Sequence, residues 1–305
     1  MTYFSNQKYK SRHHPEKRRE LSHVSGICRM TWILIGMCLL YPGKTEGQCK
    51  LDTGFFSVDE RLDFNLHYNW KFVWIKAGEA ALISQSGTCK GIGVYKTQLT
   101  ARSTGVAKKL MSIGDTLTGQ VSNSDFSPLF YVKAAHEGKT HSYEEIDYEY
   151  PGKDRVKAQL KHWRNGKFRG DTLLSSKKCF YDPVSLIYFM RSLNPSGMTV
   201  NQSVSVPILF TDESFDVKVT YRGTEIIEVN DEKINTVKYS FSINGKAFEN
   251  KKESLFLWLS NDGNRIPVQI ETKLKIGSLK AQLKKATGCK NPYSAFPTSS
   301  KIVGK

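Results

Sequence analysis

Between Leu62 and Trp74 every second residue is apolar or aromatic: Leu62, Phe64, Leu66, Tyr68, Trp70, Phe72 and Trp74, with Asp63, Asn65, His67, Asn69 and Lys71 among the residues between them. Strict alternation is the period of a pleated strand, whose successive side chains leave on opposite faces. A helix would spread the same rings around its whole girth. An aromatic face of that size must be covered, so the strand walls either a core or a pocket. Phe64, Tyr68, Trp70 and Trp74 are therefore the candidate residues of a ligand groove. The Ala77-Gly78 pair beyond them offers a tight reversal, because glycine tolerates positive φ, and Ala80 to Ile83 would run back alongside.

The same period recurs downstream. Tyr95, Thr97, Leu99 and Ala101 alternate, as do Phe215, Val217, Val219 and Tyr221, then Val237, Tyr239, Phe241 and Ile243, and finally Val268, Ile270, Thr272, Leu274 and Ile276. Tyr143 to Tyr150 sets Glu145, Asp147 and Glu149 against Ile146, Tyr148 and Tyr150. After a turn at Pro151-Gly152-Lys153-Asp154 the chain continues as Arg155, Lys157, Gln159 and Lys161, which reads as a hairpin with acids on one arm and bases on the other. Leu255 to Leu259 is apolar on both sides and reads as a central strand. Two helices interrupt the pattern. Val106 to Ile113 suits a short one, and Asp182-Pro183 opens a second with a good cap and a proline at the first helical position. The fold class is mainly β: a large curved antiparallel sheet or an incompletely closed barrel, with one or two short helices packed on it. Residues 48–288 form a single β-rich domain, and 289–305, which lack periodicity, form a loose C-terminal tail.

Ahead of the domain, a polar, basic leader gives way to Met30 through Tyr41, twelve residues without a charge, followed by Pro42-Gly43. Twelve is short for a bilayer span, which takes about 20 apolar residues. The pattern is that of a secretory signal over 1–47, cleaved before Gln48, and leaves no transmembrane span. Localisation is thus expected to be exported, in the periplasm or cell envelope. Export recasts the cysteines, because Cys49, Cys89, Cys179 and Cys289 would then meet an oxidising compartment. Four cysteines allow three pairings. Since chain termini tend to lie close, Cys49 is expected to pair with Cys289 and Cys89 with Cys179.

Of the chain's 45 basic and 29 acidic residues, 37 and 26 lie beyond the leader. That excess attracts polyanions, but no basic run interleaved with aromatics marks a nucleic-acid binder. No Gly-x-Ser-x-Gly elbow, His-Glu-x-x-His or phosphate loop occurs, so no catalytic residue, metal site or cofactor is assigned. His136 and His141, five apart across a predicted turn, lack the tighter spacing usual for zinc.

The segment His67-Tyr68-Asn69-Trp70-Lys71-Phe72-Val73-Trp74-Ile75-Lys76-Ala77-Gly78-Glu79-Ala80 resembles the opening signature of an exported bacterial group, domain-of-unknown-function family 3108. Cys179-Phe180-Tyr181-Asp182-Pro183-Val184-Ser185-Leu186 is similar to its helix start, and Tyr221-Arg222-Gly223 and Arg265-Ile266-Pro267-Val268 to its later strands. The likeness spans roughly residues 55 to 285. It implies no activity and no catalytic residues. More loosely, strands with one covering helix are similar to the periplasmic lipoprotein carriers, whose incomplete barrels hold acyl chains; that likeness is architectural only.

The expected function is a noncatalytic binding or carrier module for a lipid or other apolar or amphipathic ligand. One alternative is a structural or interaction protein touching an anionic envelope glycan or a protein partner. Another is a polysaccharide-active enzyme using Glu145 and Asp147.

Overall fold

A computed structural model of the chain describes residues 49–303 apart from 71–72, 111, 153–154, 211–212, 245–254 and 274–276, and apart from the side chains of Trp70, Leu110, Ile243 and Asn244. The leader 1–47, with its signal-like segment, lies outside these residues. Among the described residues, no helix is long and apolar enough to cross a membrane.

Fourteen strands form one antiparallel sheet: β1 (Arg61–Trp70), β2 (Val73–Cys89), β3 (Ile92–Ser103), β4 (Gly114–Ser122), β5 (Pro128–Glu137), β6 (Thr140–Gly152), β7 (Arg155–Arg164), β8 (Lys167–Ser176), β9 (Ser203–Phe210), β10 (Glu213–Val229), β11 (Glu232–Asn244), β12 (Leu255–Ser260), β13 (Pro267–Lys273) and β14 (Ser278–Thr287). Their spatial order is β8-β7-β6-β5-β4-β3-β2-β1-β14-β13-β12-β11-β10-β9. Pairing of β1 with β14 fuses two meanders into one sheet. With the short helices α1 (Gly105–Leu110) and α2 (Pro183–Ser192), this is the mainly β, incompletely closed architecture that the alternation predicts.

Neighbouring strands run in opposite directions, so connections gather at two ends. Those after β1, β3, β5, β7, β9, β11 and β13 share one end, the rim. Those after β2, β4, β6, β8, β10 and β12 share the other, the base. The edges of the sheet are β8 and β9. Tyr181 lies parallel to β9: its N–H donates to the Pro207 carbonyl at 3.1 Å and its carbonyl accepts from the Leu209 N–H at 2.8 Å. The segment entering α2 therefore satisfies edge groups that would otherwise invite another chain.

Helix α2 forms where the cap signal places it. The Asp182 carboxylate accepts from the Val184 and Ser185 N–H groups, both at 2.9 Å, and the Ser185 hydroxyl accepts from the Asp182 N–H at 2.9 Å. Such a reciprocal box is worth about 1 kcal/mol. The helix touches β3 and β4 in one meander and β9 in the other, which requires the sheet to curl around it. Val184, Tyr188, Met190 and Arg191 are buried, and Phe55, Phe56, Tyr95 and Phe126 pack their rings around Tyr188. The base-side interior is thus filled.

Four expectations are corrected. Residues 62–74 are not one strand, because β1 stops at Trp70, which pairs antiparallel with Val73 of β2. Ala77-Gly78 lies instead inside β2 at a register shift: Leu66 faces Gly78 and His67 faces Lys76. A Cβ on Gly78 would come within 2.2 Å of the Arg102 carbonyl oxygen, so the glycine serves close approach of β3 rather than a turn. The cysteine pairing also differs. Cys49 is bonded to Cys179, and Cys89 and Cys289 are free. Cys49 tethers the chain leading to β1 to the start of α2, whereas Cys289 at the end of β14 is held beside Glu60 and Tyr293. Finally, the tail beyond Gly288 is packed, with Ala295, Phe296 and Ile302 buried and Val303 bridged to Ala286.

The acid-and-base hairpin has the expected register. Glu145 faces Lys161, Asp147 faces Gln159 and Glu149 faces Lys157 across β6 and β7. Likewise, Leu255 to Leu259 falls in β12, a strand flanked by β11 and β13.

A polar mouth at the rim as candidate functional site

On the concave face, β5 contributes Tyr131 and Lys133, β6 contributes Ser142 and Glu144, and β7 contributes His162 and Arg164. Cross-strand register aligns them, since Lys133 faces Glu144 and Glu144 faces His162. Toward the base this face continues through Ile146, Tyr148, Ala158 and Leu160, all buried. Toward the rim it turns polar and opens into a cavity of about 770 Å³ lined by Lys133, Glu144, His162, Trp163, Arg164 and Arg169, among others.

Lys133 Nζ lies 3.2 Å from Glu144 Oε1, with both side chains largely buried. It also sits 5.1 Å from the ring centroid of Phe210, across the mouth. The pair is screened less than a surface salt bridge. His162 keeps its ring over Gly170 of β8, where a Cβ would stand 2.7 Å from the imidazole Cε1. Its Nδ1 is buried without a hydrogen-bond partner. One pleat deeper than Lys133, the Tyr131 hydroxyl is also buried and unpartnered. Burial, with the nearby Asp182 and Glu144 charges, pushes the Tyr131 pKa up, so its proton stays on. The mouth therefore combines the Lys133, Arg164 and Arg169 cations with the Glu137 and Glu144 carboxylates and the His162 ring, above a buried Tyr131 hydroxyl that lacks an acceptor. Unmet polar groups of this kind are costly unless something pairs with them.

Below the mouth, Asp182 is buried against the Tyr148 hydroxyl at 3.3 Å, and burial raises its pKa against the hydrogen bonds from Ser185, Val184 and Tyr148. Tyr188 shares a hydrogen bond with Ser84 at 2.9 Å.

The structure does not gather the four groove candidates. Phe64, 5% exposed, is part of the filled core, and Tyr68 is half-buried. The side chain of Trp70 lies outside the described residues. Trp74, on β2 opposite Asn69, falls on the convex face; it is 40% exposed, with Lys280 Nζ 4.3 Å from its ring centroid. The antiparallel pairing of Trp70 with Val73 is the cause, since it puts Trp74 in register with the odd-numbered residues of β1. Glu145 and Asp147 lie on the convex face, where Tyr143 donates to Glu145 at 2.7 Å and Lys90 pairs with Asp147. His136 and His141 face each other there at 4.4 Å between centroids, and no cluster of three or more metal-ligating side chains occurs among the described residues.

Sequence reading missed Lys133, Glu144 and His162. Their signal was parity, because Glu144 shares the even series with Ile146 and Tyr148, and His162 shares it with Leu160. Charge or imidazole on an otherwise apolar face marks a place where that face is wet or paired.

With this geometry in view, the decisive match is to a family model described as protein of unknown function DUF3108, over residues 63–284. The chain belongs to the DUF3108 family. No curated protein matches it. Among solved structures it is similar to a β-barrel-like protein of domain of unknown function DUF1849 from Brucella abortus, with TM-score 0.50 at 10% identity, covering 77% of this chain and 99% of that one. A protein with a YmcC-like fold from Bacteroides fragilis matches with TM-score 0.32 at 10% identity, over 78% of this chain and 99% of the other. The first likeness is one of fold. The Cys49–Cys179 disulfide adds that this DUF3108 domain has the kind of crosslink that persists outside the cytoplasm.

Proposed function

We propose that this DUF3108 protein is a noncatalytic, extracytoplasmic binding module that takes an amphipathic ligand with an anionic head group at the rim-side mouth. The reading is carried by the largely buried Lys133–Glu144 pair in the cavity of about 770 Å³, beside the unpartnered His162 Nδ1. Small-ligand sites are concave, with a few polar groups fixing orientation, and this volume falls in their usual range of about 300–1,000 Å³. An incoming anion would meet Lys133 and Arg164, and a short apolar segment could lie against Phe210. Because α2 and the aromatic cluster fill the base, the ligand would not thread through the barrel.

The test is titration of the protein with dodecyl phosphate, followed by isothermal calorimetry and native mass spectrometry. Lys133→Gln should weaken binding at least tenfold, and Gly170→Val, which displaces the His162 ring, should weaken it several-fold. A protein that takes up no amphiphile, or whose affinity is unchanged by both substitutions, refutes the proposal.

A further inference from the structure

Eleven large apolar side chains are exposed among the described residues, and their distribution is uneven. Seven lie at or near the rim, including Val73 and Ile75 beside the β1–β2 reversal, Val106 in α1 and Phe168 after the β7–β8 turn. Val106 is 70% and Phe168 55% exposed. Phe168 ends a ladder of rings on the convex face, in which Trp163 stands 5.4 Å from Tyr143 on one side and 5.4 Å from Phe168 on the other.

Charge follows the same axis. Lys108 and Lys109 in α1, Lys139 in the β5–β6 hairpin, and Arg164, Lys167 and Arg169 around the β7–β8 turn are all exposed. Those three connections hold no acid among the described residues; the acids nearest them are Glu137 at the end of β5 and Asp115 at the start of β4, and Glu213 opens β10 at the same end. At the base the signs mix, with Asp125, Asp231, Glu232 and Asp262 among lysines such as Lys90, Lys178 and Lys290.

Exposed aliphatic and aromatic side chains at one level, interleaved with lysine and arginine, are what the boundary of an anionic bilayer selects. The rings and branched chains enter the headgroup layer while the cations meet its negative potential. We infer that the rim docks on an anionic lipid surface, with the barrel axis steep to the membrane and the polar mouth facing it. This inference goes beyond the ligand reading and does not need it. A soluble polyanion would use the lysines and arginines but would gain nothing from Val106 and Phe168.

The experiment is flotation of the full chain with vesicles of phosphatidylglycerol and phosphatidylcholine, against vesicles of phosphatidylcholine alone. Four proteins are compared: wild type, Val106→Ser/Phe168→Ser, Lys108→Glu/Lys109→Glu/Lys167→Glu, and Ile226→Ser as a base-end control whose side chain is 68% exposed. Circular dichroism melting confirms that each variant is folded. None of these residues lines the mouth cavity, so dodecyl phosphate binding reads the two proposals separately. The inference expects binding to the anionic vesicles that weakens with salt. Each rim variant should lower it at least tenfold, and Ile226→Ser should leave it unchanged. Equal binding by all four proteins overturns it. So does loss confined to the charge-reversed variant, which would make the rim a polyanion site, and so does equal weakening by Ile226→Ser.

Discussion

Replacing Arg191 by Met tests how the base of the barrel is held together. Arg191 is 0% exposed and Glu60 1%. The guanidinium donates to both Glu60 carboxylate oxygens, at 2.5 and 2.7 Å, and to the Asn264 carbonyl at 2.9 Å from Nη2. Its charge also lies 4.7 Å from the Phe55 ring centroid. Burial opposes that charge, but the Glu60 carboxylate prevails and raises the Arg191 pKa. Arg191→Met keeps most of the side chain's volume while leaving a carboxylate without its cation in a dry site. Breaking a buried pair from one side costs about 3–5 kcal/mol.

At about 4 kcal/mol, and with roughly 2–4 °C per kcal/mol for a domain of this size, Tm should fall by roughly 8–16 °C. In urea, a slope of roughly 2–3 kcal/mol per M places the midpoint roughly 1.3–2 M lower. Glu60→Leu alone should cost a similar amount, since it strands the guanidinium. The double variant Glu60→Leu/Arg191→Met should cost far less than the sum, because two apolar groups replace the pair, and the Asn264 carbonyl then supplies most of the residual loss, about 1–3 kcal/mol. Urea unfolding of the four proteins yields the coupling energy, which for singles of about 4 kcal/mol each and a residual of about 1–3 kcal/mol is about 5–7 kcal/mol. Single variants that each lose under 1 kcal/mol, or a double variant equal to their sum, would refute the claim that this pair locks the base.

Other outcomes are equally specific. Cys49→Ser/Cys179→Ser opens a link spanning a sequence separation of 130 and should lower stability by about 2–5 kcal/mol, read as a urea midpoint shift against wild type. Asp182 has a folded-state pKa raised by burial, so its contribution to stability is fully present below its unfolded value and is lost as pH rises through the raised one. Asp182→Asn keeps a capping oxygen but removes that titration, so the stability of wild type relative to the variant should decline from pH 3.5 to pH 7. Burial, with Glu60 nearby, pushes the Cys289 thiol up to about 12. Iodoacetamide under native conditions should therefore label Cys89 ahead of Cys289, and denaturation should equalise the two, as peptide mass mapping would show.

Period and parity made the sheet legible before any coordinates. The opposed charges of Glu145 and Lys161 found their partners in register, and Asp182-Pro183 capped its helix, because both signals are local and depend on a few adjacent residues. What failed depended on distant neighbours. Gly78 looks the same in sequence whether it turns the chain or lets the Arg102 carbonyl approach, and only the pairing of β2 with β3 separates the two. The cysteine pairing failed because proximity of termini ignores the segment ahead of β1, which is anchored at the entrance of α2 by the Cys49–Cys179 bond and runs from there to Arg61. The tail looked loose because Ala295, Phe296 and Ile302 have no periodicity, yet each fills a gap at the base.

These findings assign the two ends of the barrel different physical roles. At the base, Asn264 is buried and exchanges hydrogen bonds with Asn291, donating to its carbonyl at 2.7 Å and accepting from its N–H at 2.7 Å. Asn291 in turn donates to the Gly54 carbonyl at 3.1 Å. Arg265 reaches the last carbonyls of α2, at Arg191 and Leu193, completing a helix end whose acceptors would otherwise be unmet. The N-terminal segment, the β12–β13 turn, the C-terminal segment and the helix are thereby tied into one knot of polar contacts around Glu60 and Arg191. The rim hairpins are joined through fewer contacts, the Gly138 N–H donating to the Ser112 carbonyl at 2.8 Å and His141 and Asn165 exchanging hydrogen bonds at 2.8 and 2.7 Å, and the mouth beneath them has buried polar atoms without partners. Local opening costs least where buried apolar contacts and shared hydrogen bonds are fewest. Amide exchange should therefore be slowest around Ser84, Tyr188 and Asn264 and fastest at the exposed rim-turn residues Lys139 and Gly166, whereas Gly138 and Asn165 are held by hydrogen bonds to Ser112 and His141. Uniform protection from rim to base would mean that the mouth is as rigid as the knot beneath it, and ligand entry from the rim would then lose its physical basis.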